Sequence, residues 1–201
     1  MKILVLGKTG QVSWELQRSL PLLGTVECVG RPEVDLTHPD SLRSAIRSAA
    51  PDVLINAAAY TAVDQAESEA ELAMKINGEA PGILAEEMKR VGGLMVHYST
   101  DFVYDGSGTE PWVEDSPTGP LNAYGAAKLA GDQAVAAAAG AYLIFRTSWV
   151  YGVRGRNFLR TVLRLAEACK PLLAVRGCRC WINGGFGKWL PGPDSNQRPT
   201  G

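Results

Sequence analysis

Apolar runs without polar alternation recur along the first two thirds of the chain, and the segments between them carry helical spacing. Residues 2–7, KILVLG, have the character of a strand buried on both faces, and WELQRSL (14–20) reads as the helix that follows. TVECVG (25–30) holds a second strand. DSLRSAIRSAA (40–50) has helical spacing behind Thr37 as a candidate cap and stops at Pro51, and DVLIN (52–56) is a short buried strand. Residues 70–93 predict one long helix, bent at Pro81 and ended by Gly92 and Gly93, with the charges of EEMKR on a solvated face. Residues 94–99 form another apolar run, NAYGAAKLAGDQAVAAAA (122–139) a helix, and AYLIFRT (141–147) the next strand. This alternation predicts an α/β fold, a Rossmann-like doubly wound parallel sheet with right-handed crossovers. No internal repeat or low-complexity tract points to a solenoid.

Composition narrows the picture a little. With 46% hydrophobic and 20% charged residues in 201, the chain has enough apolar side chains for one sizeable core. The formal net charge of −1 gives no electrostatic case for nucleic-acid binding. The longest apolar stretch, AVAAAAGAYLIF (134–145), falls well short of the roughly 20 residues that span a bilayer. It reads as a helix end, a break at Gly140 and a strand. The start MKILVLG enters the fold directly, without the charged, apolar and cleavage regions of a secretory signal, so a cytoplasmic protein without a membrane partner is expected.

Three segments carry candidate chemistry. In NAYGAAKLAGD, Tyr124 and Lys128 are four apart and share a helix face, where an ammonium can lower the phenol pKa from about 10 and make the tyrosine a proton donor near neutral pH. After the first strand, Gly7-Lys8-Thr9-Gly10-Gln11-Val12-Ser13 forms a strand, turn and helix start suited to a pyrophosphate. Ser13 stands where the commonest dinucleotide fingerprint has its third glycine, and slightly weakened packing is expected there. LMVHYSTDFVYDG places Ser99, Thr100 and Asp101 at the carboxyl end of a strand, where ligands gather in open α/β sheets. Thr100 can bond a substrate carbonyl, whereas Ser99 reads as a turn residue. At the end of the second strand, Gly30 and Arg31 precede any carboxylate, which favours a phosphate-bearing NADPH over NADH. His97, within an apolar run, reads as a core or pocket-edge residue. Neither it nor His38 has a ligand-like neighbour, and no metal site is expected.

Taken in order, GKTGQV, PDVLINAAAYTAVDQAE, HYSTDFVYDG, PLNAYGAAKLAGD and RTSWVYG followed by NFLRTVLRLA resemble the extended short-chain dehydrogenase/reductase superfamily, in particular its sugar-nucleotide reductases, over residues 1 to about 168. The resemblance implies a catalytic set of Thr100, Tyr124 and Lys128 that reduces a dTDP-4-keto-6-deoxy sugar with NADPH, NADH being the other option. Lys128 would hold the nicotinamide ribose and Asp101 would lie near the sugar. Asp35 and Leu36 would flank the adenine, and Ala59, Tyr60 and Thr61 would line the cofactor, alongside Gly7, Gly10, Gln11, Val12 and Arg31. Trp149 would line the sugar pocket, and a core aromatic at a strand end is the equal alternative. Mg2+ dependence is left open, and a homodimer is allowed but weakened by an incomplete or missing substrate domain.

Residues 169–201 break the pattern. They hold three of the four cysteines, six glycines and four prolines, with five basic residues and one acidic, and periodicity stops apart from a short strand at PLLAV. The chain is expected to comprise a Rossmann domain over 1–168 and a poorly ordered tail over 169–201, produced by a reading-frame change or a truncated gene. Cys178-x-Cys180 has no second Cys or His pair to complete a zinc site. Three classes stay open: a reductase or its nucleotide-binding part, a non-catalytic dinucleotide-binding regulatory subunit of the kind that partners an S-adenosylmethionine-forming synthetase, and an inactive fragment with exposed apolar faces.

Overall fold

The computed structural model describes residues 1–167. The expected tail at 169–201, its short strand and its Cys178-x-Cys180 pair lie outside them. One compact unit spans Met1–Gly155, and a second begins at Arg156.

The first unit is built on five parallel strands, β1 (Lys2–Leu6), β2 (Thr25–Val29), β3 (Val53–Asn56), β4 (Leu94–Thr100) and β5 (Ala141–Thr147), in the order β2-β1-β3-β4-β5. The central β1 is buried along Ile3–Leu6, as its unbroken apolar run requires, whereas the outer β2 and β5 are half-exposed or exposed. Alternation sends successive β1 side chains to opposite faces. Ile3 and Val5 meet Leu16 and Leu20 near α1 (Gln11–Ser19). Leu4 and Leu6 face α2 (Pro39–Ala49) through Leu42 and Ile46, with Leu84 and Met88 of α4 (Ala80–Val91) and Val135 of α5 (Ala123–Ala137) in the same cluster. Register places Leu6, Val29, Asn56, Thr100 and Thr147 at the carboxyl ends of their strands. The order reverses between β1 and β3, which fixes the crevice where a ligand binds in such sheets.

Three local expectations are corrected. Thr37 does not cap α2. The cap is His38 ahead of Pro39, whose fixed φ suits a first helical position, and the Thr37 N–H and hydroxyl both donate to Asp35 Oδ1 at 2.8 Å. The helix predicted over 70–93 divides into α3 (Ala70–Ala73), a π-helical turn (Met74–Glu79) and α4. The irregularity therefore precedes Pro81 and coincides with a close crossing of α5, where a Cβ at Gly131 would stand 2.0 Å from the Asn77 carbonyl oxygen. Gly92 does end α4, at φ 73°, with its N–H returned to Lys89 and Met88 carbonyls. Within EEMKR, Glu87 is buried rather than solvated. Arg47 grips it through two bonds of 2.7 and 2.8 Å, Arg90 adds a third at 3.0 Å, and Arg47 holds its carboxyl below the usual range.

The described part of the second unit contains α6 (Phe158–Glu167), on which Phe158, Leu159 and Leu163 are exposed. No helix among the described residues is long and apolar enough to cross a membrane.

Candidate functional site

The turn after β1 is held close to its neighbours. Gly7, at φ 107°, donates to the Val29 carbonyl at 2.9 Å, and Gly10 donates to Gly7 at 2.9 Å. A Cβ on Gly7 would lie 3.1 Å from both the Ala57 carbonyl and Ser13 Oγ, so the glycine meets both a backbone and a space requirement. Gly10 caps α1, whose first-turn amides have no carbonyl partner within the helix and carry its positive dipole end. Gln11 and Val12 line a pocket of about 190 Å³ with Tyr98, Val150 and Tyr151, and Gln11 Nε2 donates to the Val150 carbonyl at 3.2 Å. Ser13 departs from expectation. It is wholly buried and its hydroxyl donates to the Leu6 carbonyl at 3.4 Å, so it ties α1 to β1 instead of loosening the contact.

Beyond β2, Arg31 is exposed, and its charge helps to lower the Asp35 carboxyl, after the larger effect of the Thr37 bonds. Lys8 brings a second cation to this region, 3.3 Å from Glu33, which occupies the first carboxylate after the strand. Leu36 packs half-buried against the core. Beyond β3, Ala59 and Tyr60 are half-buried and Thr61 is exposed. Asn77 clasps this loop from the π-helical turn: its Oδ1 accepts from the Tyr60 N–H and its Nδ2 donates to the Tyr60 carbonyl, both at 2.9 Å.

Thr100 and Tyr124 converge. Asn122 caps α5 through Gly125 at 2.7 Å, and Glu67 accepts from the Ala123 N–H at 3.0 Å, so the amino end of the helix is fixed from two sides. Tyr124 then packs edge-on to Phe102, at 5.6 Å between centroids, and shares a small cluster with Tyr60, Ala73 and Ala127. Burial raises the Tyr124 phenol, hydrogen bonding with Thr100 lowers it, and the Asp101 charge raises it again. The net direction is upward, opposite to the shift expected from Lys128. The Lys128 side chain explains the difference. It runs inward and its Nζ donates to the Tyr98 carbonyl at 2.6 Å, with His97 Nε2 at 3.3 Å. Lys128 is 2% exposed, and burial pulls it down to about 8 against the opposing charge of Asp132.

Asp101 joins two strand ends: Oδ1 accepts from Thr100 at 3.1 Å and Oδ2 from Ser148 at 2.7 Å. Trp149, at φ 52° and 64% exposed, is not a core aromatic. Ser99 is buried and donates to Asp132 at 2.8 Å, which replaces the turn role expected for it. Asn56, Asn77 and Asp132 were not anticipated. Asn56 and His97 left a trace in the sequence as polar residues inside apolar runs, but nothing in KING singles out Asn77. Among the described residues no group of three or more His, Cys, Asp or Glu side chains is placed to hold a metal ion.

Helices on both faces of a parallel sheet and a glycine turn at the reversal of strand order define a Rossmann-like domain of the short-chain dehydrogenase/reductase type. The chain belongs to the family described as RmlD substrate binding domain, whose model matches residues 1–177. It is 58% identical over 167 residues to a dTDP-4-dehydrorhamnose reductase of Burkholderia thailandensis, covering 83% of this chain and 56% of the relative. Against the enzyme of the same name from Escherichia coli K12 it is 46% identical over 179 residues, covering 87% of this chain and 60% of the relative. A crystal structure of dTDP-4-dehydrorhamnose reductase from Bacillus anthracis in complex with NADP superposes with a TM-score of 0.80 at 36% identity, over 84% of this chain and 61% of that one. The chain thus spans less than two thirds of the length of these relatives.

Proposed function

We propose that this chain is the dinucleotide-binding and proton-donating portion of an NADPH-dependent reductase acting on dTDP-4-dehydro-L-rhamnose, and that it forms dTDP-L-rhamnose. The observation that carries this reading is the meeting of Thr100 and Tyr124 at the carboxyl end of the sheet that also bears the Gly7–Gly10 turn. The turn fits a dinucleotide, because Gly7 turns the chain tightly at φ 107° and the first-turn amides of α1 can receive a pyrophosphate. Arg31 and Lys8, at the end of β2, suit the additional phosphate of NADPH, with Glu33 engaged by Lys8.

A bound nicotinamide dinucleotide supplies the hydride to the keto carbon. Thr100 orients the carbonyl, and Tyr124 Oη gives its proton to the oxygen. The raised phenol keeps that proton in place at neutral pH, and Thr100, whose hydrogen bond lowers the phenol, supports the tyrosinate left behind, while the buried Lys128 stands one helical turn on. Asp101, braced by Ser148, stands beside the sugar, and the exposed Trp149 offers an aromatic face to it. The test is NADPH oxidation on addition of the 4-keto sugar nucleotide. Oxidation by the chain and its loss in Tyr124→Phe support the reading, whereas equal oxidation by both removes Tyr124 from the proton-donor role.

A further inference from the structure

Behind Tyr124 lies a buried polar chain that the reaction as described does not use. His97 is fully buried on β4; its Nε2 lies 3.3 Å from Lys128 Nζ and its Nδ1 3.1 Å from the Asn56 carboxamide nitrogen. A neutral imidazole carries one proton, so Nε2 accepts from an ammonium only when Nδ1 holds that proton and donates it onward. Asn56 must then present its oxygen to Nδ1. Turning the carboxamide is isosteric, and it gives Asn56 Oδ1, a buried atom with no hydrogen-bond partner in the orientation described, a donor.

We propose that His97 is a positioning residue for Lys128: its Nε2, fixed as an acceptor by Asn56 at the end of β3, holds the ammonium against the Tyr98 carbonyl and keeps it charged one helical turn from Tyr124. This rests on the reductase reading above. Burial and the Lys128 charge push His97 down to about 2, so the ring stays a neutral acceptor wherever the enzyme works. Among the described residues the charged groups around Lys128 are few, and one of them, Asp132, also has its Oδ1 3.8 Å from His97 Nε2. Asp132, on the same helix, opposes its loss of charge and is itself held by Ser99 of β4 and Arg146 of β5, at 2.8 and 3.5 Å. Asp101 acts on Tyr124, and Lys75 and Glu79 of the π-helical turn are exposed.

Two conservative variants separate positioning from mere packing. The Gln oxygen in His97→Gln reaches the place of Nε2, whereas the shorter amide of His97→Asn reaches Asn56 and leaves Lys128 without its acceptor. Lys128 is titrated in the full chain by NMR of 13Cε-labelled lysine, its signal identified by its loss in Lys128→Met. The midpoint is expected near 8 in the parent and in His97→Gln, and about one pH unit lower in His97→Asn, the scale of one hydrogen bond to a charged group. An unchanged midpoint in His97→Asn overturns the proposal. If that variant does not fold, Asn56→Ala replaces it, with the same downward shift expected and an unchanged midpoint equally decisive. The titration needs no turnover. A shifted midpoint in a chain that does not oxidise NADPH supports the His97 role and defeats the reductase reading, and turnover with an unshifted midpoint does the reverse.

Discussion

At the scale of single residues, Ser13 and Tyr124 show how burial decides what spacing cannot. Ser13 sits at a glycine position of the usual fingerprint, yet it is enclosed and bonded to the Leu6 carbonyl. Ser13→Gly is therefore expected to lower stability by about 1–2 kcal/mol, from the lost hydrogen bond and the greater backbone freedom of glycine in a helix. Thermal or urea unfolding checks this, and a stabilised variant would restore the view that Ser13 loosens the turn. The Y-x-x-x-K spacing identifies the pair, but it cannot report that Lys128 turns inward to Tyr98 and His97. Arg31→Ala is expected to weaken NADPH binding more than NADH binding, and an unchanged preference would remove the phosphate contact.

At the scale of elements, β1, β3, β4 and the helix bearing Tyr124 were legible because apolar runs and helical spacing are local signals. The π-helical turn was not. It arises where α5 crosses at Gly131 against the Asn77 backbone, a contact between residues 54 positions apart. The same crossing supplies the clasp on Tyr60, which no local pattern announces. Asn77→Ala leaves the half-buried Tyr60 N–H and carbonyl without their partners, at a cost of about 1–2 kcal/mol. Faster hydrogen exchange at Tyr60 is the expected sign, and unaltered exchange there would show that other contacts hold the loop.

At the scale of the whole molecule, stability is tied to pH through His97. Its folded pKa lies near 2 against an ordinary 6.5, so below about 6.5 the unfolded chain takes up a proton that the folded chain refuses. Stability is expected to fall with acidification through this window, by up to about 1.4 kcal/mol per pH unit from this group, and to fall less steeply in His97→Gln. Parallel unfolding curves for parent and variant between pH 6.5 and 4 would contradict a buried neutral imidazole. The parallel sheet and its ligand end followed from the alternation of elements, whereas the exposure of Tyr142, Leu143 and Phe145 on β5 did not. Strand periodicity alone does not tell an inner strand from an outer one.

The claim on which the rest stands is that the Gly7–Ser13 turn and the Thr100, Tyr124 and Lys128 set belong to one working dinucleotide site. Titration of the chain with NADPH, followed by nicotinamide fluorescence, tests it most directly. Saturable binding, tighter for NADPH than for NADH and retained in Tyr124→Phe, is the predicted result; no saturable binding of either cofactor to the folded chain would contradict it.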